Sequence, residues 1–251
     1  MDETNTALLT AALNNAAWCD AVCSAHGLSP HYDGRRLWLS AHRTPPLYPD
    51  AVTLDASVAA PRVLRGIDTD SPGCSVKDSF ATLDLTGDGF EVLFDAQWIH
   101  RPAGTPVPRA ASGGLEWTRV ATAGELEAWE AAWDGEGSTG LFRPALLTED
   151  IAFLAGRRDG RIVAGAVANR ASGVVGVSNL FARAEASAAD TDAAWAGVLA
   201  EVGARWPDLD VVGYESGDDL ATALRHGFTP IGPLRVWLRT SERRPHLHSR
   251  G

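Results

Sequence analysis

A chain of 251 residues, 45% hydrophobic and 8% aromatic, is long enough for one large domain or two modest ones around a packed core. Its formal net charge of -10 argues against nucleic acid as a partner, because binding a polyanion rests on phosphate neutralisation by Lys and Arg, and it disfavours anionic membranes too. No apolar run approaches the roughly 18 residues of a membrane span, and no basic-then-hydrophobic leader opens the chain. The 3 cysteines make no disulfide framework, so free thiols and a cytoplasmic location are expected.

In chain order, Thr4 to His26 carries Leu8, Leu9, Ala12, Leu13, Ala16 and Val22 at helical spacing, with Gly27 as the stop and Cys19 and Cys23 on one helix face. A short strand, Arg36 to Ser40, a Pro-punctuated loop and a second strand, Ala51 to Leu54, follow, then a helix from Ala59 to Ile67. Gly89 and Phe90 open a further strand. The stretch from 101 to 114 concentrates Pro, Gly and small residues and is the best boundary in the chain. Beyond it come a strand from Leu115 to Val120, a helix from Ala123 to Trp133 in which Thr122 or Ala123 precedes an acidic first turn at Glu125 and Glu127, a flexible loop, and a short helix or turn from Phe142 to Leu147.

The stretch from Asp150 to Ala182 reads as three antiparallel strands, because the turns Arg158-Asp159-Gly160 and Arg170 to Gly173 separate runs rich in Val and Ile. Ser178 and Asn179 are polar residues set where that third strand would meet a ligand. A helix from Ala189 to Trp206, a strand from Leu209 to Tyr214, a helix from Asp218 to His226, the Gly227-Phe228 turn and a strand from Leu234 to Arg239 complete the order, followed by a polar tail, 241 to 251, expected to be disordered.

The hairpin strand Arg161 to Asn169, the central strand Val174 to Phe181, and the ending Val-Val-Gly-Tyr-Glu with Ala-Leu-Arg-His-Gly-Phe resemble the GNAT acetyltransferase superfamily, over roughly residues 115 to 240. The resemblance implies an α/β (α+β) fold: a mixed, mostly antiparallel sheet flanked by helices. The Gly89-Phe90 strand entry echoes Gly227-Phe228, which suggests a tandem arrangement. Residues 1 to 104 would be a smaller, partial GNAT-like domain that lacks a three-strand meander, 105 to 114 a linker, and 115 to 240 the complete domain.

What the resemblance implies for function is transfer of an acyl group, most simply acetyl from acetyl-CoA, to a small-molecule amine by direct attack. Main chain and side chains at Ser178, Asn179, Leu180 and Phe181 would hold the thioester arm, and a loop through Arg183, Ala186 and Ala188 the pyrophosphate. Two departures stand against it. Ala186 occupies the position of the superfamily's first loop glycine, beside Glu185 and ahead of Asp190 and Asp192. Ala223 occupies the position of the usual tyrosine acid. Tyr214 is then the alternative phenol, with Glu215 or His226 to relay the amine proton. Plain alternatives remain: a helix-capping loop, strand-end packing for Tyr214, a cap at Glu215 and a solvated helix end at His226. A GNAT-like protein that has lost CoA binding and serves as a ligand- or partner-binding module is the second reading.

No metal is implied. Asp84-x-Thr86-x-Asp88-Gly89 has the start of a calcium loop but reads better as a turn before a strand, and Cys74, Lys77 and Asp78 form no activated nucleophile. The Trp residues fall at apolar positions and read as core. Oligomeric state stays open, a homodimer among the options, and the abundance of Ala, Arg, Asp and Gly with little Lys has the look of a high-GC bacterial genome.

Overall fold

The computed structural model describes residues 3–107, 114–135, 137, 139–183 and 188–239. The tail from 241, most of the expected linker and the loop 184–187 lie outside them. The first element is a 23-residue helix, α1 (Glu3–Ala25). Three short strands follow, β1 (His31–Asp33), β2 (Leu37–Leu39) and β3 (Ala51–Thr53), then a one-turn helix, α2 (Ala60–Leu64). The first half ends with β4 (Ser75–Asp78) and β5 (Phe90–Arg101). The second half comprises β6 (Glu116–Arg119), α3 (Ala123–Asp134), β7 (Ile151–Arg158), β8 (Arg161–Ala171), β9 (Val174–Ala182), α4 (Ala188–Arg205), β10 (Val211–Glu215), α5 (Gly217–Arg225) and β11 (Thr229–Arg239).

All 11 strands form one sheet in the order β1-β2-β3-β4-β11-β5-β10-β9-β8-β7-β6. Two neighbouring pairs are parallel, β3 with β4 and β9 with β10, and each is joined by a crossover through a helix. In each half the second strand of that pair leads through a left-handed glycine, Gly89 (φ 80) or Gly227 (φ 86), and a buried phenylalanine into the half's last strand. Those last strands are exchanged. β5 lies between β10 and β11, and β11 between β5 and β4, so the sheet runs unbroken through both halves.

Sequence reading and structure differ in three places. A meander does precede the first half's helix: β1, β2 and β3 pair in succession, but at three residues each they are too short to show an alternating pattern. β4 was not foreseen, because Val76, Lys77 and Asp78 are all buried in it and a lysine and an aspartate do not announce a buried strand. The final strand begins at Thr229, ahead of Pro230 and Pro233, and shifts register between Pro230 and Gly232, where the missing amide hydrogens are accommodated.

The sheet's two faces carry separate cores. On one, α1 and α3 cover Trp98, Trp129, Phe153, Val167, Val212 and Leu234; on the other, α4 and α5 cover Ile99, Val175, Val177, Trp195, Val211 and Phe228. A third cluster under α2 holds Leu37, Leu39, Val76 and Trp237. A capping box opens α3, with Thr122 Oγ1 accepting from the Glu125 amide and Glu125 from the Thr122 amide, and is one reason the helix starts there. At the other end of that helix the buried Glu130 carboxylate accepts from the amides of Thr139, Leu141 and Phe142, and thereby fixes the following loop.

The position of α1 decides where a site can be. Asn14 Nδ2 donates to the carbonyl oxygens of Asn169 (3.1 Å), Ala171 (3.2 Å) and Val174 (3.4 Å), and Asn169 Nδ2 returns a bond to the Asn14 carbonyl. The helix lies so close to β9 that a Cβ on Gly176 would come 2.0 Å from Asn14 Oδ1. A glycine is required there for packing and not for backbone freedom.

Candidate active site

β9 and β10 start as neighbours and then part. Their pairing covers only Val175 with Val211 and Gly176 with Val212, after which β10 continues alongside β5 alone, as far as Glu215 opposite Gln97. At the parting point Gly213 faces β9 so closely that a Cβ there would lie 3.0 Å from the Val177 carbonyl oxygen. Among the described residues, 177–182 of β9 therefore run on with β8 on one edge and no strand on the other.

The same segment is bulged. Asn179 has a left-handed backbone (φ 51), and the register with β8 slips between Val167 opposite Ser178 and Gly165 opposite Phe181. Asparagine tolerates this conformation better than most residues. The extra residue re-aims the strand: Val177 packs in the α4–α5 core, Ser178 faces the α1 side, Leu180 returns to the α4–α5 core, and Phe181 meets Trp129 edge-on at 5.4 Å. Ser178 Oγ donates to Asn179 Oδ1 at 3.0 Å.

On the α1 side of this fork lies a cavity of about 80 Å³, lined by Asn15, Trp18 and Cys19 of α1, Leu47, Tyr48 and Pro49 of the loop before β3, Lys77 of β4, Ser178 and Asn179 of β9, and Tyr214 of β10. Lys77 is 5% exposed. Its ammonium donates to Asn15 Oδ1 (2.8 Å) and to the Tyr214 hydroxyl oxygen (3.3 Å) and stands 4.5 Å from the centre of the Tyr214 ring. Trp98 edge-on at 5.5 Å and Phe94 stacked at 6.4 Å hold that ring. Because the Tyr214 oxygen accepts from Lys77, its own O–H stays available to donate into the cavity. Burial pushes the Cys19 thiol up, so it is an inert wall and not a nucleophile. A larger, more open groove of about 340 Å³ lies over α2, and no expected site residue lines it.

The structure thus brings Ser178, Asn179 and Tyr214 together and separates them from the other two expected catalytic residues. Glu215, next to Tyr214 on a strand, does not line the cavity; burial and then the charge of Asp219 on α5 push its carboxyl up to about 8. His226 is no solvated helix end. It is 4% exposed, stacks on Trp195 at 6.4 Å and bonds Asp192 on α4 at 3.1 Å, and burial lowers its pKa. Arg183 follows β9 with its amide on the Val163 carbonyl, Ala188 opens α4, and Ala186 falls outside the described residues.

Three wall residues escaped the sequence reading: Asn15, Tyr48 and Lys77, all from the first half. One signal was available. Of 22 basic residues, Lys77 is the single lysine, the rest being arginine. No group of His, Cys, Asp or Glu among the described residues could hold a metal ion, and no helix among them is long and apolar enough to cross a membrane. Cys19, Cys23 and Cys74 are all buried and unbridged.

Of the loop expected to meet the pyrophosphate, Arg183 to Ala188, residues 184–187 lie outside the described residues.

No family model matches the chain, and no curated protein matches its sequence. Among solved structures it is similar to a GCN5-related N-acetyltransferase from Kribbella flavida, at 18% identity and a TM-score of 0.61 over 90% of this chain and 95% of the other. A putative acetyltransferase of the GNAT family from Novosphingobium aromaticivorans superposes with a TM-score of 0.55 at 16% identity, over 92% and 99% of the two chains. A functionally unknown conserved protein from Staphylococcus epidermidis does so at 0.57 with 10% identity, over 84% and 94%. The chain has the GNAT fold.

Proposed function

We propose that the protein transfers an acyl group, acetyl in the simplest case, from acyl-CoA to a small amine by direct attack. The observation that carries this reading is the fork itself: a parallel pair that opens beyond Gly176 and Val212, with a bulge at Asn179 on one arm and the Tyr214 hydroxyl on the other. Acyl-CoA, when bound, supplies the activated thioester. The chain's part is to hold that group along residues 178–181, to present the amine from the α1 side, and to keep a proton at Tyr214 Oη for the leaving thiol. Lys77 orients the phenol by donating to its oxygen.

Among the described residues no carboxylate or imidazole lines the cavity. The amine therefore attacks as its free base, and kcat/KM is expected to rise with pH toward the amine's own pKa. The repeated connectivity around the two parallel pairs further supports reading the halves as copies of one unit. Isothermal titration with acetyl-CoA, joined to a thiol-release assay over an amine panel, is the test: saturable binding and release are expected, and no heat at millimolar ligand removes the transferase reading.

One observation favours the second reading, a GNAT-like module without CoA binding. Asp218 and Asp219 stand in the first turn of α5 and would repel a polyphosphate. The same titration decides between them.

A further inference from the structure

The cavity beside the fork contains an ammonium with no counter-ion among the described residues. Lys77 is 5% exposed, and its partners are the amide oxygen of Asn15, the hydroxyl oxygen of Tyr214 and the face of the Tyr214 ring, all neutral. Among the described residues no carboxylate pairs with it, although the chain carries 32 Asp and Glu. An isolated buried charge is costly, and proteins pair such charges as a rule. It is also 1 lysine among 22 basic residues, the rest being arginine.

The donors around it are also unspent. An ammonium has three N–H groups, of which two are used. The Tyr48 hydroxyl, 7% exposed and on the same wall, has no acceptor within hydrogen-bond range. Two unspent donors and one unpaired positive charge thus line a space of about 80 Å³, the room of roughly two or three waters at ~30 Å³ each. A compact ammonium fits that space where the broader guanidinium fork does not.

We infer that Lys77 and Tyr48 form a subsite for a single carboxylate, so that the acceptor is an amino acid or a similarly small amine carrying one carboxylate group. Charge parity points to the carboxylate: one ammonium neutralises one negative charge, whereas a phosphate monoester brings nearly two into a site with a single cation. Leu47 stands at the mouth, 79% exposed with a left-handed backbone (φ 71), and offers an apolar contact to the acceptor's side chain. Lys77, on β4, and Tyr48, in the loop before β3, come from the first half, which makes that half the reader of the acceptor while the second half holds the thioester.

The subsite rests on the acyl-transfer reading for the amine but can be tested without it. The full chain, free of acyl-CoA, is titrated with small L-amino acids and β-alanine, each beside its own carboxamide, which keeps the amine and the size and removes the charge. At least one acid is expected to bind about tenfold or more tightly than its amide, and Lys77→Met is expected to abolish the difference. Because Lys77 is the sole lysine, lysine-specific ¹³C labelling gives one side-chain signal in the unmutated chain. It should move with the acid and stay with the amide, a readout that needs no variant to fold. Equal binding of acids and amides across the panel, an unmoved lysine signal, or acylation of Lys77 itself in place of anion binding would overturn the subsite. Acid preference without acetyl-CoA binding sinks the transferase reading and leaves the subsite standing; acetyl-CoA turnover with acids and amides alike does the reverse.

Discussion

The two parallel strand pairs are built alike and end differently. Beyond Val52 and Lys77, the pair β3/β4 is stitched shut by Asp78, whose fully buried carboxylate accepts from Thr53 Oγ1 (3.2 Å), the Phe80 amide (3.2 Å) and the Leu83 amide (2.7 Å), while the Ser79 amide donates to Thr53 Oγ1 at 2.8 Å. Beyond Gly176 and Val212, the pair β9/β10 has no such stitch, and the gap becomes a cavity wall. A parallel pair that opens leaves main-chain groups to be satisfied by water or ligand. The side chains at the fork decide whether that need is met internally, for stability, or left for something that binds.

The largest effect should come from removing the hydroxyl at the open fork. Tyr214→Phe keeps the ring contacts with Trp98 and Phe94, so acetyl-CoA affinity should hold while kcat falls on the order of 100-fold; a kcat within threefold would end the acid role. Unstitching the closed fork by Asp78→Ala should cost about 3 to 5 kcal/mol, because the buried Leu83 amide, the half-buried Phe80 amide and the Thr53 hydroxyl lose their acceptor. Thermal unfolding reads that loss, and acetyl-CoA affinity of the folded fraction should not change.

A smaller effect concerns Glu215. Its carboxyl is raised from the ordinary 4.5 to about 8, burial first and Asp219 second. The folded state then holds a proton that the unfolded chain has released, so stability is full below about 4.5 and declines as pH rises toward 8. Glu215→Gln should flatten that slope, by on the order of 1 to 3 kcal/mol over the window, and a denaturant series at pH 5 and pH 8 reads it. The smallest effect is at the bulge: Asn179→Gly should change stability by no more than ~0.5 kcal/mol since the left-handed backbone suits glycine, whereas Asn179→Val should cost ~1 to 2.

How much of this was legible in the sequence follows from how locally each feature is specified. The meander β7–β8–β9 and the order α4–β10–α5–β11 were, since Val- and Ile-rich runs between Asp-Gly and Ser-Gly turns and an amphipathic α5 are local signals. Ser178 and Asn179 were marked as ligand-facing because two polar residues interrupt an apolar run. The exchange of β5 and β11 was not legible, because pairing across more than a hundred residues leaves no trace in either strand's pattern. His226 and Glu215 looked equal to Tyr214 on paper. Only the fold reveals that Asp192 and Trp195 enclose the imidazole and that the carboxyl stays out of the cavity. Lys77 was not legible as a cavity residue, because its partners, Asn15 and Tyr214, lie 62 and 137 residues away.

Amide hydrogen exchange with and without millimolar acetyl-CoA compares the two forks in a single experiment. The account predicts that residues 177–182 exchange readily alone and become protected with ligand, while 51–53 and 75–79 are slow in both conditions. Unchanged exchange at 177–182, or equal protection at both forks, would contradict it.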